Sequence, residues 1–261
     1  MGSISPEEAE ERLQAFALSL NAIDVVCTFK GKDGDQQPEV LFVLDSCFNP
    51  PTNAHMALVI SALQSLEPDQ LPSARLLLLF STNGTDEPGS PASFAQRLVL
   101  MARMAEDLRI SFDEPCSHVS IDIGVTIERL QVGKSRAISA VAESTGGSRP
   151  RQIHLLGYDN LTRVLQPQWY PASDPPLQAL SPFFDNNCHL RCTMRFPSGE
   201  ELGGDLSFQR QNGEFEKLLA SASSHGFKEE WIEQITLVRP SQAKAGTSST
   251  AVRQAAHIGD W

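Results

Sequence analysis

Apolar residues recur along this chain with two different periods. Near the start, Ala9, Leu13, Phe16, Ala17 and Leu20 fall at helical spacing behind Ser5-Pro6-Glu7-Glu8. A capping serine, a proline in the first turn and a glutamate three residues after the serine form a helix-start signature. The turn-rich Gly31-Lys32-Asp33-Gly34-Asp35 then leads into Val40-Leu41-Phe42-Val43-Leu44. That run is continuously apolar and rich in β-branched and aromatic residues, as a strand buried on both faces is. Further strands are expected at 75–80, 118–123, 152–156, 189–194 and 235–238, with helical spacing at 55–63 and 93–102. Strands alternating with helices predict an α/β fold whose mostly parallel sheet is covered on both faces. Stretches rich in Gly, Pro and Ser at 83–91, 144–150, 171–182 and 197–205 read as connections. The first of these follows a core strand, a suitable place for a lid. The chain divides into an N-terminal helix with its connection, 1–36, and a catalytic domain, 37–261.

Two loops carry phosphate-binding chemistry. Cys47-Phe48-Asn49-Pro50-Pro51-Thr52-Asn53-Ala54-His55 follows the first core strand directly. Its prolines cannot continue the strand, and Thr52 or Asn53 can cap the helix that follows. Thr52 and His55 lie three apart, on one face of the first turn. A hydroxyl, an imidazole and free backbone N–H groups therefore meet beyond a strand's C-terminal end, where open α/β sheets place ligands. The second loop is Ser248-Ser249-Thr250-Ala251-Val252-Arg253, behind the glycine-containing 244–247. Its hydroxyls can open a short helix, 251–256, and the guanidinium of Arg253 can rise beside the same anion. Between the loops, a strand running into Gly157 precedes a helix expected to begin around Asp159 or Asn160, with Asp159 a natural N-cap.

The segment Ser46 to His55 resembles the signature of the HxGH nucleotidyltransferase superfamily. More narrowly, it is similar to the form found in eukaryotic nicotinamide mononucleotide adenylyltransferases, with Thr52 where many members have a first histidine. Together with Pro91-Ala92-Ser93-Phe94-Ala95-Gln96-Arg97-Leu98, it is closest to the divergent fungal promoter-of-filamentation branch. Ser46 stands at the position of that signature's glycine. The second loop resembles the superfamily's I-S-S-T-x-x-R, with Thr247 for the isoleucine. The resemblance implies a Rossmann-like three-layer sandwich of nucleotidyltransferase type. It also implies adenylyl transfer from ATP, carried with Mg²⁺, to nicotinamide mononucleotide, giving NAD and pyrophosphate. His55 would hydrogen-bond a phosphate oxygen with help from Thr52. Ser46, Cys47 and Phe48 would line the first loop, and Ser248, Ser249, Thr250 and Arg253 would hold the leaving pyrophosphate. Gly157 and Asp159 would seat a nucleoside portion. Trp169 and Arg195 match a family tryptophan and, loosely, a family arginine.

Charge and composition narrow the classes further. The 261 residues carry a formal charge of −11, which argues against general nucleic-acid binding but not against a nucleotide substrate. The five cysteines show no C-x-x-C or zinc spacing and read as reduced thiols of an intracellular protein, cytoplasmic or nuclear. No apolar run has membrane-spanning length, and the acidic, helical start is unlike a secretory leader. Homo-oligomerisation is left open. The family's lysines before Arg97 are missing, and Asp86-Glu87 stand in that region, where they repel phosphate. Alternatives are therefore another acceptor, ATP hydrolysis, or a nucleotide-binding adaptor without chemistry.

Overall fold

The computed structural model describes residues 4–32, 37–83, 92–111, 116–194, 204–239, 249 and 252–253, with backbone alone at 111 and 204–211. Helix α1 (Pro6–Leu18) opens with Ser5 as N-cap and Glu8 closing the capping box, as its sequence predicts. The core elements follow in order: β1 (Ile23–Phe29), β2 (Val40–Asp45), α2 (Asn53–Leu63), β3 (Ala74–Ser81), α3 (Phe94–Ser111), β4 (Ser120–Thr126), α4 (Gln131–Ser144) and β5 (Arg151–Gly157). The chain continues through α5 (Tyr158–Val164), α6 (Ser181–Phe184), β6 (His189–Thr193), α7 (Gly204–Ser223) and β7 (Ile235–Val238). Five of the expected strands appear at their positions within two residues at each end. The strand expected at 118–123 begins and ends later, and the helix expected at 93–102 runs on to Ser111.

The described strands form one sheet in the order β1-β4-β3-β2-β5-β6-β7, parallel except for β1. This is the Rossmann-like α/β architecture. From β2 the chain winds outward through β3 and β4; from β5 it winds the other way through β6 and β7. The C-terminal ends of β2 and β5 are thus a topological switch point, where successive crossovers leave on opposite faces and open a crevice.

Alternation along the strands sorts the core into faces. Phe42 and Leu44 of β2 pack with Val59 and Leu63 of α2 and Leu98 and Met101 of α3. Leu41 and Val43 point the other way, onto Ala137 and Ile138 of α4. A third cluster, with Phe183, Phe184 and Trp231, covers the side of β5 to β7. Each fully buried Leu or Phe contributes roughly 1.5–3 kcal/mol, so β2 is anchored on both faces up to the residue before its loop. Arg191 of β6 reaches across and donates to Ser61 Oγ at 3.2 Å and Ser61 O at 2.9 Å, bracing α2 over the sheet.

Strand β1, within the segment expected to be a connection, pairs antiparallel with β4. Its register shifts between Val25 and Cys27, so its buried positions are Ile23, Val26 and Phe29. A bulge replaces the period of two with one of three, which hides the strand from a period-two search.

Candidate functional site

The loop after β2 spans 46–52, and Thr52 is the N-cap of α2. Ser46 still follows the strand, its N–H donating to Leu79 O at 3.2 Å. Strand alternation therefore turns its side chain to the face of Phe42 and Leu44, where α2 begins. Cys47 is exposed, and the Asn49–Pro50 peptide is cis. Phe48 is fully buried at φ 44°, a left-handed backbone that a bulky residue rarely adopts. Such strain, of order 1–3 kcal/mol, concentrates where a loop has a task beyond packing. The Phe48 ring backs His55, with centroids 5.3 Å apart.

His55 is held through both ring nitrogens. Nδ1 accepts the Thr52 N–H at 3.0 Å and lies 2.9 Å from Thr52 Oγ1. Nε2 lies 2.9 Å from Ser46 Oγ. A backbone N–H can only donate, so this network assigns the ring proton to Nε2. The histidine takes the role of the acid in a capping box, turning back to the N-cap's N–H. Burial pushes its pKa down from 6.5 to about 4, because a partly dry site disfavours imidazolium. At neutral pH the ring is uncharged and offers one N–H, directed at Ser46 Oγ. This tautomer excludes Ser46–His55 as a nucleophilic pair. A general base must present a free lone pair to the serine, and here the facing nitrogen carries the proton.

The second loop arrives at the same place. Ser249, Val252 and Arg253 are helical. Ser249 Oγ donates to Pro50 O at 2.7 Å, and Arg253 Nη1 donates to Asn49 O at 2.6 Å. Two groups about 200 positions downstream thus grip consecutive carbonyls of the loop that carries His55. Ser248, Thr250 and Arg195 lie outside the described residues, as do Asp86 and Glu87.

Across the crevice, β5 ends at Gly157, which is itself the N-cap of α5. Asp159 is therefore in the first turn, exposed, and not at the cap. Gly157 has φ −83°, and among the described residues beyond its chain neighbours a Cβ built on it meets no atom within 4 Å. Neither backbone nor packing demands glycine there; its missing side chain leaves open space at the strand end. Thr193, paired with Gly157 across β5 and β6, has its Oγ1 buried without a partner. Ser81 Oγ at the end of β3 and Gln131 Oε1 at the start of α4 are buried in the same state. Buried polar atoms are normally satisfied, and these three lie along the C-terminal edge of the sheet. None of these three residues stood out in the sequence.

Asp45 lies on the opposite face of β2 and pairs with the buried Lys134 of α4; Gln131 Nε2 lies 3.4 Å from the same carboxylate. This pair ties the start of α4 to the end of β2. Sequence gave no sign of it, since lysine is by default a surface residue. Trp169 is half exposed, its indole N–H donating to Gln166 Oε1 at 3.2 Å; among the described residues no hydrogen bond or ring contact joins it to the His55 loop. The five cysteines are free thiols. Among the described residues, no helix is long and apolar enough to cross a membrane, and no three His, Cys, Asp or Glu side chains stand together as metal ligands.

No protein-family model matches the chain. It is similar to a protein of Schizosaccharomyces pombe described as "Putative nicotinamide mononucleotide adenylyltransferase". The two are 29% identical over 221 residues, which take in 84% of this chain and 77% of that protein.

Proposed function

We propose that this chain transfers the adenylyl group of ATP to nicotinamide mononucleotide, forming NAD and releasing pyrophosphate, and that it is a divergent member of the fungal branch its loops resemble. The observation that carries this is the seating of Ser249 and Arg253 on the Asn49 and Pro50 carbonyls. It gathers two phosphate-type loops at one crevice, at the switch point where α/β sheets bind nucleotides. The acceptor is taken from the resemblance of 46–55 and from the similarity to the fission yeast protein.

In this mechanism an anionic phosphate oxygen of the mononucleotide attacks the α-phosphorus in line. The bond from that phosphorus to the α,β-bridging oxygen breaks, and pyrophosphate departs. The nucleophile is already charged, so no general base is needed; positioning and charge stabilisation do the catalysis. This suits a neutral His55, which cannot give up a proton as imidazolium at pH 7. The His55–Ser46 pair would present a hydrogen-bond donor to a non-bridging oxygen of the α- or β-phosphate. The α2 N-terminus adds unpaired N–H groups. Arg253, with Ser248, Ser249 and Thr250, would hold the leaving pyrophosphate, its fork matching two phosphate oxygens. The open volume at Gly157 would admit a nucleoside, with Asp159 beside it. Mg²⁺ would enter with ATP, carried on its phosphate oxygens and on water. When bound, that ion neutralises developing charge on the triphosphate.

Incubation of the purified protein with Mg-ATP and nicotinamide mononucleotide tests the proposal. NAD and pyrophosphate should appear in equal amounts. ADP without NAD would assign hydrolysis instead, and ATP bound unchanged would assign an adaptor. In the active protein, His55→Ala should raise the barrier by about 2–4 kcal/mol, as loss of a preorganised donor does, with the circular dichroism spectrum unchanged.

A further inference from the structure

We infer that the hydroxyl of Ser46, and not the imidazole of His55, is the group that touches the nucleotide phosphate, with His55 acting behind it as a positioning residue. This rests on the crevice being a nucleotide-phosphate site. Ring N–H, serine oxygen and crevice lie in series. Nε2 carries the only ring proton, and Ser46 Oγ lies against it at 2.9 Å. An oxygen that accepts this N–H keeps its own O–H to give away. Among the described residues no acceptor is seen for that proton. Ser46 is partly exposed at the C-terminal end of β2, on the face from which α2 starts. The accepted hydrogen bond polarises the hydroxyl and makes it the stronger donor, and a charged oxygen is the acceptor that gains most from it.

Direct contact between His55 and phosphate would need the same volume. Ser46 Oγ fills the hydrogen-bonding position in front of Nε2. A phosphate oxygen could take that position only if the serine swung away and gave up the bond. In the signature this loop resembles, the corresponding residue is glycine, and the position is empty. Nothing in the local backbone asks for glycine here. Phe48 and Asn187 are the described non-glycine residues with positive φ, and Ser46 is not one of them. The serine therefore sits without strain and extends the histidine's reach by one hydroxyl.

A three-member series at position 46 reads this out, because the order of activities is not the order of side-chain size. Ser46→Ala keeps a Cβ in front of Nε2 but removes the hydroxyl. It should lose about 10- to 100-fold in kcat for NAD formation, the scale of one charge-assisted donor. Ser46→Gly also lacks the hydroxyl, but it lets phosphate advance to the His55 N–H and should recover to within several-fold of wild type. Thermal unfolding and the His55 ring nitrogen resonances verify that each variant is folded with the proton still on Nε2. Ser46→Ala within twofold of wild type, or Ser46→Gly as impaired as Ser46→Ala, overturns the inference. If wild type makes no NAD, the proposed reaction fails, and Mg-ATP affinity by calorimetry takes over as the readout. The same order, wild type and Ser46→Gly above Ser46→Ala, then supports the donor role of Ser46, and a flat series or no binding by any variant overturns it.

Discussion

At the scale of single residues, the candidate site is a matter of which atom holds which proton. His55 accepts at Nδ1 and donates at Nε2, so the two ends of its ring can be mimicked separately. Glutamine places an amide NH₂ near the Nε2 position, whereas asparagine ends near Nδ1. His55→Gln should therefore retain about tenfold more activity than His55→Asn, since only the longer amide can reproduce the outward donor. The ring should also titrate low. Burial lowers its pKa to about 4, so its resonances in the ligand-free protein should be flat from pH 8 to 5.5 and move only near 4. A midpoint near 6.5 would mean an imidazole ready to carry charge, and a different role. The spacing of Thr52 and His55 was legible as a shared helical face. Their hydrogen bond and the tautomer it fixes were not, because they depend on Thr52 being the N-cap with extended backbone. Ser46 was legible only as a departure from a resembling signature; that its oxygen meets Nε2 follows from the strand continuing one residue past β2.

At the scale of elements, two helix starts and one strand end converge, and each can be weakened without dismantling the fold. Gly157 offers the sharpest separation. A Cβ there enters open space at an ordinary φ, so Gly157→Val should change thermal stability little. It should weaken Mg-ATP or mononucleotide binding by about tenfold or more, because the branched side chain occupies volume the proposed ligand would take. A large loss of stability with ligand affinity intact would make Gly157 a packing residue instead. The elements themselves were mostly visible beforehand. Continuous apolar runs marked β2 and β3, since parallel strands buried on both faces read that way. Three features were hidden for local reasons. The bulge in β1 broke its alternation. The capping of α5 fell to Gly157, because that residue already has the extended backbone of an N-cap, leaving Asp159 inside the first turn. The buried lysine of α4 was concealed by its residue type, since only the neighbouring Asp45 makes its burial tolerable.

At the scale of the whole molecule, the alternation of strands and helices foretold a parallel sheet but not its order. The reversal between β2 and β5 is decided by which crossover packs on which face. That reversal creates the crevice and also places a second histidine inside the protein. His154 points from β5 toward α4, fully buried, with Phe183 edge-on at 5.0 Å and Gln152 Oε1 3.2 Å from Nε2. Gln152 spends its NH₂ on Ser135 O and Ser139 Oγ, so its oxygen faces the ring and Nε2 is the donor. Burial, then the nearby Lys134 charge, lower the His154 pKa from 6.5 to about 3. The unfolded chain therefore binds a proton below pH 6.5 that the folded protein refuses. The stability His154 confers is complete above pH 6.5 and is lost as pH falls toward about 3, at about 1.4 kcal/mol per pH unit. His55, only partly buried, adds a smaller loss of the same sign down to about 4. Unfolding free energies from urea titrations should therefore fall steadily between pH 6.5 and 4.5, by roughly 3 kcal/mol in total or somewhat more. His154→Leu should lower stability at pH 7, because Gln152 Oε1 loses its donor, yet flatten the acid slope by about 1.4 kcal/mol per pH unit. An unchanged slope in that variant would place the acid sensitivity in the carboxylates of this acidic chain rather than in its buried imidazole.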